Sequence, residues 1–136
     1  MAYKIFEYPV EILEHHLDSF GHVNNAAYVK IYEEARWDFI TKNNYGLNKI
    51  LEIQQGPVIL DLKVKFKREL KNRETIVIYS QVHEILNSRM IVLEQVMKKA
   101  DGKISSEALF TIGFFDMKAR KLIDASPEWL KAVGVG

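Results

Sequence analysis

Four strands joined by short turns follow a single long helix in this chain, and that order restricts the folds open to it. The clearest strand begins at Pro57, where apolar and charged residues alternate in V-I-L-D-L-K-V-K-F-K. This period of two predicts a strand with one buried face and one solvent-exposed face. Turn-forming pairs then separate three further strands, at about residues 74–86, 89–99 and 103–116; the pairs are Lys71-Asn72, Asn87-Ser88 and Asp101-Gly102. Strands linked so closely pair in antiparallel fashion.

The long helix is predicted over about residues 25–43. Its apolar positions recur every three or four residues and make one stripe: Ala27, Tyr28, Ile31, Ala35 and Phe39. A first strand within residues 3–14 precedes it, with Pro9 at an edge or a bulge. A short helical turn around residues 47–53 and a closing helix after Ser126-Pro127 complete the chain. We therefore predict an α+β fold, an antiparallel five-stranded sheet wrapped around one long helix.

The apolar content of the last two of these strands indicates how each face of the sheet is covered. Both are apolar on two faces for part of their length, as in Ile91-Val92-Leu93 and Phe114-Phe115. One face can pack on the helix. The other is expected to be covered by a second subunit.

Composition narrows the class of protein. The 136 residues suit one domain, residues 1–136, and 48% hydrophobic with 27% charged residues is the profile of a globular protein. The formal net charge of +1 gives no electrostatic reason to expect nucleic acid or a membrane as partner. With no cysteine, disulfides and thiolate chemistry are excluded. The first residues lack the apolar run of a signal peptide, and no segment could span a bilayer, so we expect a cytoplasmic protein.

The turn before the helix holds the polar residues of most interest. Asp18 lies in the turn, Gly21 follows three residues later, and Asn24 and Asn25 stand at the expected helix N-terminus. A carboxylate beside the open amides of a helix N-terminus suits carbonyl chemistry. Asp18 could equally be a turn or capping aspartate, and the asparagines are most simply caps.

Histidines near this turn raise the question of a metal site. His15, His16 and His22 flank Asp18. Because His15 and His16 are adjacent, they point to opposite sides of an extended chain and cannot both bind one ion. We predict no metal site.

The segment L-D-S-F-G-H-V-N-N-A-A-Y-V-K-I-Y-E-E-A-R-W, together with the element order, resembles the hotdog-fold acyl-CoA thioesterases of the 4-hydroxybenzoyl-CoA thioesterase type. The resemblance implies that Asp18 is the catalytic carboxylate, as general base or as nucleophile. It also implies that the backbone N–H of Asn25 polarises the thioester carbonyl. It implies a homodimer or homotetramer whose sheets meet edge to edge. Coenzyme A enters only as part of the substrate, so no cofactor is expected.

Other residues receive supporting roles in this interpretation. Gly21 would let the backbone approach the substrate or supply a positive φ, and His22 would orient substrate or water. Tyr28 is a candidate for the pocket wall, with core packing as the alternative. Lys67, Arg68 and Arg89 are candidates for binding the phosphates of coenzyme A, although a solvent-exposed strand face would explain these basic residues equally well.

Several alternatives remain open from the sequence. Glu33 is a second candidate carboxylate on the helix. A non-catalytic hotdog domain that binds acyl-CoA would not need Asp18, and a thioesterase for acyl carrier protein would share the same site. The acyl group could be fatty or aromatic.

Overall fold

The structure, a computed structural model, describes residues 3–136; Met1 and Ala2 of the predicted domain lie outside the described residues. The strands are β1 (Phe6–Glu11), β2 (Gln55–Phe66), β3 (Thr75–Asn87), β4 (Met90–Lys99), β5 (Ile104–Asp116) and β6 (Lys121–Leu122). The helices are α1 (Asn25–Lys42), α2 (Leu47–Ile53) and α3 (Pro127–Ala132), with a 3-10 turn at Glu14–His16. Within residues 3–136, no helix is both long enough and apolar enough to cross a membrane.

The sheet has the order β1-β3-β4-β5-β2, with β6 paired to the end of β5, and every pairing is antiparallel. The predicted α+β fold is confirmed. Pro9 lies on β1, an edge strand, as predicted. An edge strand tolerates proline because one side of it needs no ladder hydrogen bonds.

Helix α1 packs on one face of the sheet through the predicted apolar stripe. Tyr28, Ile31, Ala35 and Phe39 are buried, and Ala27 packs partly buried against them. The Phe39 ring stacks on Phe6 of β1 with 4.5 Å between ring centroids. Farther along the sheet, the hydroxyls of Tyr32 and Ser106 of β5 are 2.8 Å apart. The helix therefore spans several strands, and the sheet curls around it.

Strand β2 differs from the sequence prediction. A register shift between Ile59 and Asp61 marks a β-bulge at Leu60. The bulge interrupts the alternation, because the extra residue reverses the side to which later side chains point. Pairing places Leu62 opposite Phe110 and Phe66 opposite Ser106, on the side that faces α1. Leu60 instead lies on the outer side, near Gly113.

The predicted buried face of β2 is also not buried within the protomer. Leu62 is 47% exposed and Phe66 54% exposed, although both face the helix side. Because β2 is the second edge of the sheet, α1 covers only part of it. The prediction of a buried face on this strand was therefore wrong for the single chain. It leaves an apolar strip, which we define as Ile59, Leu62 and Phe66.

The outer face of the sheet is partly covered by the chain itself. A Cβ placed on Gly113 of β5 would lie 2.6 Å from Leu122 Cδ2 of β6 and 3.0 Å from Leu60 Cδ1. Because glycine has no Cβ, the Leu122 and Leu60 side chains can lie over β5 at this position. That part of the outer face needs no second subunit. For the remainder, coverage by another subunit stays a prediction.

Candidate active site

The loop between the 3-10 turn and α1 is a tight hairpin held by backbone hydrogen bonds. Leu17 and Val23 form an antiparallel bridge, and Asp18 N–H donates to the His22 carbonyl at 2.8 Å. The Gly21 N–H donates to the Asp18 carbonyl at 3.1 Å, and Gly21 has φ +77°. The expectation of a positive φ at Gly21 is confirmed, and its conformation is one that few other residues adopt.

Asp18 uses one carboxylate oxygen to hold this hairpin. Oδ1 accepts hydrogen bonds from the Phe20 N–H at 2.9 Å and from the His22 N–H at 3.2 Å. Within residues 3–136, Oδ2 accepts none, and the side chain is exposed. Asp18 therefore does stabilise the turn. This role uses only Oδ1, so Oδ2 remains available for chemistry.

Asn25 is the first residue of α1, and its backbone N–H is open. Among residues 3–136 it has no acceptor. Asn24 caps the next amide, since its Oδ1 accepts from the Ala26 N–H at 2.8 Å. The open amide stands at the positive end of an 18-residue helix. Such a donor suits an oxyanion or a polarised carbonyl.

A shallow cavity of about 330 Å³ joins this helix end to the end of β2 and the basic residues that follow it. Five of the predicted site residues line it: His22, Asn25, Tyr28, Lys67 and Arg68. Asp18 and Gly21 lie in the adjoining hairpin rather than in the cavity wall. The structure therefore brings together most of the residues that the sequence singled out.

Tyr28 forms the inner wall of this cavity. Its ring packs edge-to-face on Phe66, with centroids 5.0 Å apart. Burial raises the pKa of the Tyr28 hydroxyl, and the neighbouring Ser105 hydroxyl partly offsets the rise. Tyr28 serves both the core and the pocket. At the rim, His22 Nε2 lies 3.3 Å from Glu69 Oε2.

The three candidate phosphate ligands do not all lie together. Lys67 Nζ is 2.9 Å from Glu107 Oε1, and Arg68 Nη1 donates to the Ile104 carbonyl at 3.2 Å, both at the cavity. Arg89 lies in the β3–β4 turn at the opposite end of the sheet, where its Nε is 3.5 Å from Asp124 Oδ1. The structure thus separates Arg89 from this cavity, because the turn that carries it points away from the α1 N-terminus.

The histidines near the turn have separate environments. His16 is buried, and its Nδ1 accepts from the Leu13 N–H at 2.9 Å. Burial lowers the pKa of His16, and the neighbouring His15 adds to the effect. Across residues 3–136, no three side chains of the metal-binding types cluster as a site would require. The lack of a metal remains a prediction.

A second cavity, which the sequence analysis missed, lies toward the other end of α1. It has a volume of about 230 Å³ between α1, α2, β2 and β5. Its wall is mostly apolar and includes Trp37, Leu51 and Ile59, with Glu33 and Arg36 as its charged members. The available signal in the sequence was the apolar character of α2, which contains Leu47, Ile50 and Leu51. Glu33 pairs with Lys30 at 3.0 Å and lies eight residues from Asn25, about 12 Å along the helix, so it does not share the Asp18 site.

Comparison with known proteins assigns the family. The family model of the thioesterase-like superfamily matches residues 12–133. The chain belongs to that superfamily. The prediction of a hotdog-fold thioesterase, and hence of a thioester hydrolase, is confirmed.

Individual relatives of this thioesterase agree with that assignment. The long-chain acyl-CoA thioesterase FadM of Escherichia coli (strain K12) is 29% identical over 120 residues, covering 88% of this chain and 89% of FadM. The crystal structure of the probable thioesterase YbaW from Escherichia coli is 25% identical, with a TM-score of 0.80, covering 93% of this chain and 94% of that one.

A second similar structure shares the fold alone. It is a hypothetical protein from Staphylococcus aureus, solved in complex with CoA and 14% identical, with a TM-score of 0.88. The match covers 98% of this chain and 84% of that one. The roles of individual residues in this thioesterase stay predictions.

Proposed function

We propose that this thioesterase hydrolyses acyl-CoA to a free acid and CoA at the N-terminus of α1. The observation that carries the proposal is the open Asn25 N–H at the start of α1, which follows directly on the hairpin where Asp18 keeps Oδ2 free. A donor for the developing oxyanion and a carboxylate for the attack are the two groups that thioester hydrolysis needs. The similarity to FadM, a long-chain acyl-CoA thioesterase, supports the substrate class.

The chemistry follows from that pair. The thioester oxygen accepts from the Asn25 N–H, which polarises the carbonyl carbon. Asp18 either takes a proton from the attacking water or attacks the carbon itself to give a mixed anhydride that water then cleaves. In both routes the C–S bond breaks, and the CoA thiolate leaves and takes up a proton. Lys67 and Arg68 at the cavity rim are suitable partners for CoA phosphates.

The acyl group, we propose, is a fatty chain that runs along α1 to the second cavity. Phe66 lines the first cavity and Ile59 the second, and Leu62 lies between them on β2. The apolar strip thus links the two cavities. Burial of methylenes there contributes about 0.8 kcal/mol per group, which favours long chains over short ones.

Replacing Ile59 with tryptophan is expected to shorten the preferred acyl chain. The larger ring would occupy the path between strip and second cavity, so a long chain could no longer extend. We expect kcat/KM for palmitoyl-CoA to fall by at least about tenfold, since one misfitted group in an apolar pocket costs that much. The value for hexanoyl-CoA should change little. CoA release is followed with a thiol reagent.

Asp61→Trp is the matched control, because Asp61 is exposed on the outer side of the same strand. It should leave the ratio between the two substrates unchanged. An equal loss on both substrates with Ile59→Trp would refute the proposed acyl path. If the wild-type protein released no CoA from palmitoyl-, hexanoyl- or benzoyl-CoA, the proposed activity itself would be wrong.

We also propose that two protomers join along β2. This strand is a sheet edge, and its apolar strip is exposed in the single chain. A long apolar edge in water tends to pair with another strand. Two-fold pairing of β2 would bury the strip and close both cavities from solvent.

Leu62→Asp should weaken this dimer. A carboxylate in the apolar strip would lose hydration on pairing, so the dimer dissociation constant should rise at least about tenfold. Sedimentation equilibrium measures the change. Ile85→Asp is a matched control, since Ile85 is 42% exposed on β3, away from that edge. Monomeric wild-type protein, or equal weakening by both variants, would contradict the proposed interface.

A further inference from the structure

Arg36 is a cation set into the wall of an otherwise mostly apolar cavity. It lies on α1 and lines the second cavity beside Trp37 and Ile59. Its guanidinium carbon lies 4.3 Å from the centroid of the Phe110 ring. Its Nη1 donates to Gln95 Oε1 at 3.0 Å. The aromatic ring and the amide hold the guanidinium in one place.

Gln95 is itself fixed by the core. Its Nε2 donates to the Tyr32 carbonyl at 3.1 Å and to Ser80 Oγ at 3.0 Å. Both amide hydrogens are therefore used, and Oε1 is directed to Arg36. The network orients the guanidinium rather than neutralising it, because every member other than Arg36 is uncharged.

Arg36 has no anionic partner in the described chain. No carboxylate of residues 3–136 lies within 4.0 Å of it, and Glu33 pairs with Lys30 instead. Burial lowers the pKa of Arg36 to about 10, so it stays charged at neutral pH. No buried side-chain nitrogen or oxygen in the described residues lacks a hydrogen-bond partner. Among residues 3–136, Gln95 is the only hydrogen-bond partner of Arg36, so the other guanidinium N–H groups are not fully buried, and the side chain lines the second cavity.

We propose that Arg36 is a specificity-determining residue that binds an oxygen at the far end of the acyl group, a carboxylate most tightly. The inference rests on the proposed function, in which the thioester lies at Asn25 and the chain runs to the second cavity. A partly desolvated guanidinium binds a carboxylate through two parallel hydrogen bonds. The preferred substrates would then be ω-oxygenated acyl-CoA thioesters.

The distance along α1 sets the length of the acyl chain. Arg36 lies eleven positions after Asn25, which is about 16 Å at the helical rise. An extended hydrocarbon with bonds of about 1.5 Å advances roughly 1.3 Å per bond, so about 12 carbons cover that distance. A 12-carbon dicarboxylic acid linked to CoA at one end is therefore the best-matched probe.

The test compares three substrates: dodecanoyl-CoA, 12-hydroxydodecanoyl-CoA and the mono-CoA thioester of dodecanedioic acid. In the wild-type protein, kcat/KM should be highest for the dicarboxylic substrate and lowest for dodecanoyl-CoA. Arg36→Met should lower the ratio of dicarboxylic to plain substrate by roughly 10- to 100-fold, the usual effect of losing a buried charge-assisted hydrogen bond. Arg36→Lys should retain part of the preference for the dicarboxylic substrate, because lysine keeps the positive charge but cannot form two parallel hydrogen bonds.

Three results would overturn the proposal. A wild-type protein that hydrolyses dodecanoyl-CoA well and the dicarboxylic substrate at less than a tenth of that efficiency would refute it and leave the proposed function intact. An unchanged ratio in Arg36→Met, with a weaker dimer, would show that Arg36 pairs with the second copy. No hydrolysis of any of the three would refute the proposed function as well. If Arg36→Met does not fold, the proposal is tested by the ratio of kcat/KM values for the dicarboxylic and plain substrates in the wild-type protein and in Arg36→Lys.

Discussion

Asp18→Asn is expected to lower kcat for acyl-CoA hydrolysis by about 100- to 10,000-fold, the range that general-base assistance supplies. Asparagine is nearly the same size and keeps an oxygen at the Oδ1 position. That oxygen can still accept hydrogen bonds from the backbone N–H groups of Phe20 and His22, so the hairpin should persist. The free Oδ2 becomes an amide nitrogen that can neither take a proton nor attack a carbonyl. Stopped-flow and steady-state thiol release measure the loss.

Because asparagine preserves the turn, this variant separates the two roles of Asp18. Unchanged activity would mean that Asp18 only shapes the hairpin, and the non-catalytic alternative would gain support. Ser19→Ala is the control in the same loop, since Ser19 is exposed and contributes no side-chain hydrogen bond in the described residues. It should keep near wild-type activity. Thermal unfolding of both variants confirms that the fold is intact.

Asn25→Pro is expected to lower kcat by about 100- to 1,000-fold, the cost of removing one oxyanion donor. Proline has no backbone N–H, and position 25 is the first residue of α1, where proline fits well. The preceding Asn24, with φ −64° and ψ 142°, already has the extended conformation that a following proline requires. The lost N–H has no acceptor within the described chain, so no backbone hydrogen bond is lost, and the Asn24 side chain still accepts from the Ala26 N–H.

Asn25→Ala is the control for this prediction. It removes the Asn25 side chain, whose Oδ1 accepts from the Ala26 N–H at 2.9 Å, but keeps the backbone donor. The Asn24 side chain still caps that amide. Activity should therefore remain close to wild type, and stability should change by less than about 0.5 kcal/mol. A large loss of activity in Asn25→Ala would show that the Asn25 side chain, rather than its backbone N–H, has the catalytic role.

The sequence was sufficient where local signals agreed. The stripe from Ala27 to Phe39 predicted α1 to within a residue of its observed end at Lys42, because helical periodicity and burial coincide there. Asp101-Gly102 correctly predicted the β4–β5 turn, where Gly102 has φ +85°. The hairpin at Asp18 and Gly21 followed from its turn chemistry.

The features that escaped prediction depend on contacts distant in sequence. The bulge at Leu60 has no strong local signal, yet it reverses the faces of β2. The distance of Arg89 from the α1 N-terminus follows from strand order, which charge patterns do not encode. The second cavity needs α2, β2 and α1 together, so the apolar character of α2 alone could not define it.

The central claim is that the thioester carbonyl binds at the Asn25 N–H, and difference infrared spectroscopy of that carbonyl tests it most directly. The slow Asp18→Asn variant is mixed with palmitoyl-CoA carrying ¹³C at the carbonyl. The same measurement is made with the Asp18→Asn, Asn25→Pro double variant. We predict a lowered carbonyl stretching frequency in the first complex and a frequency close to that of free substrate in the second. An equal lowering in both would contradict the account.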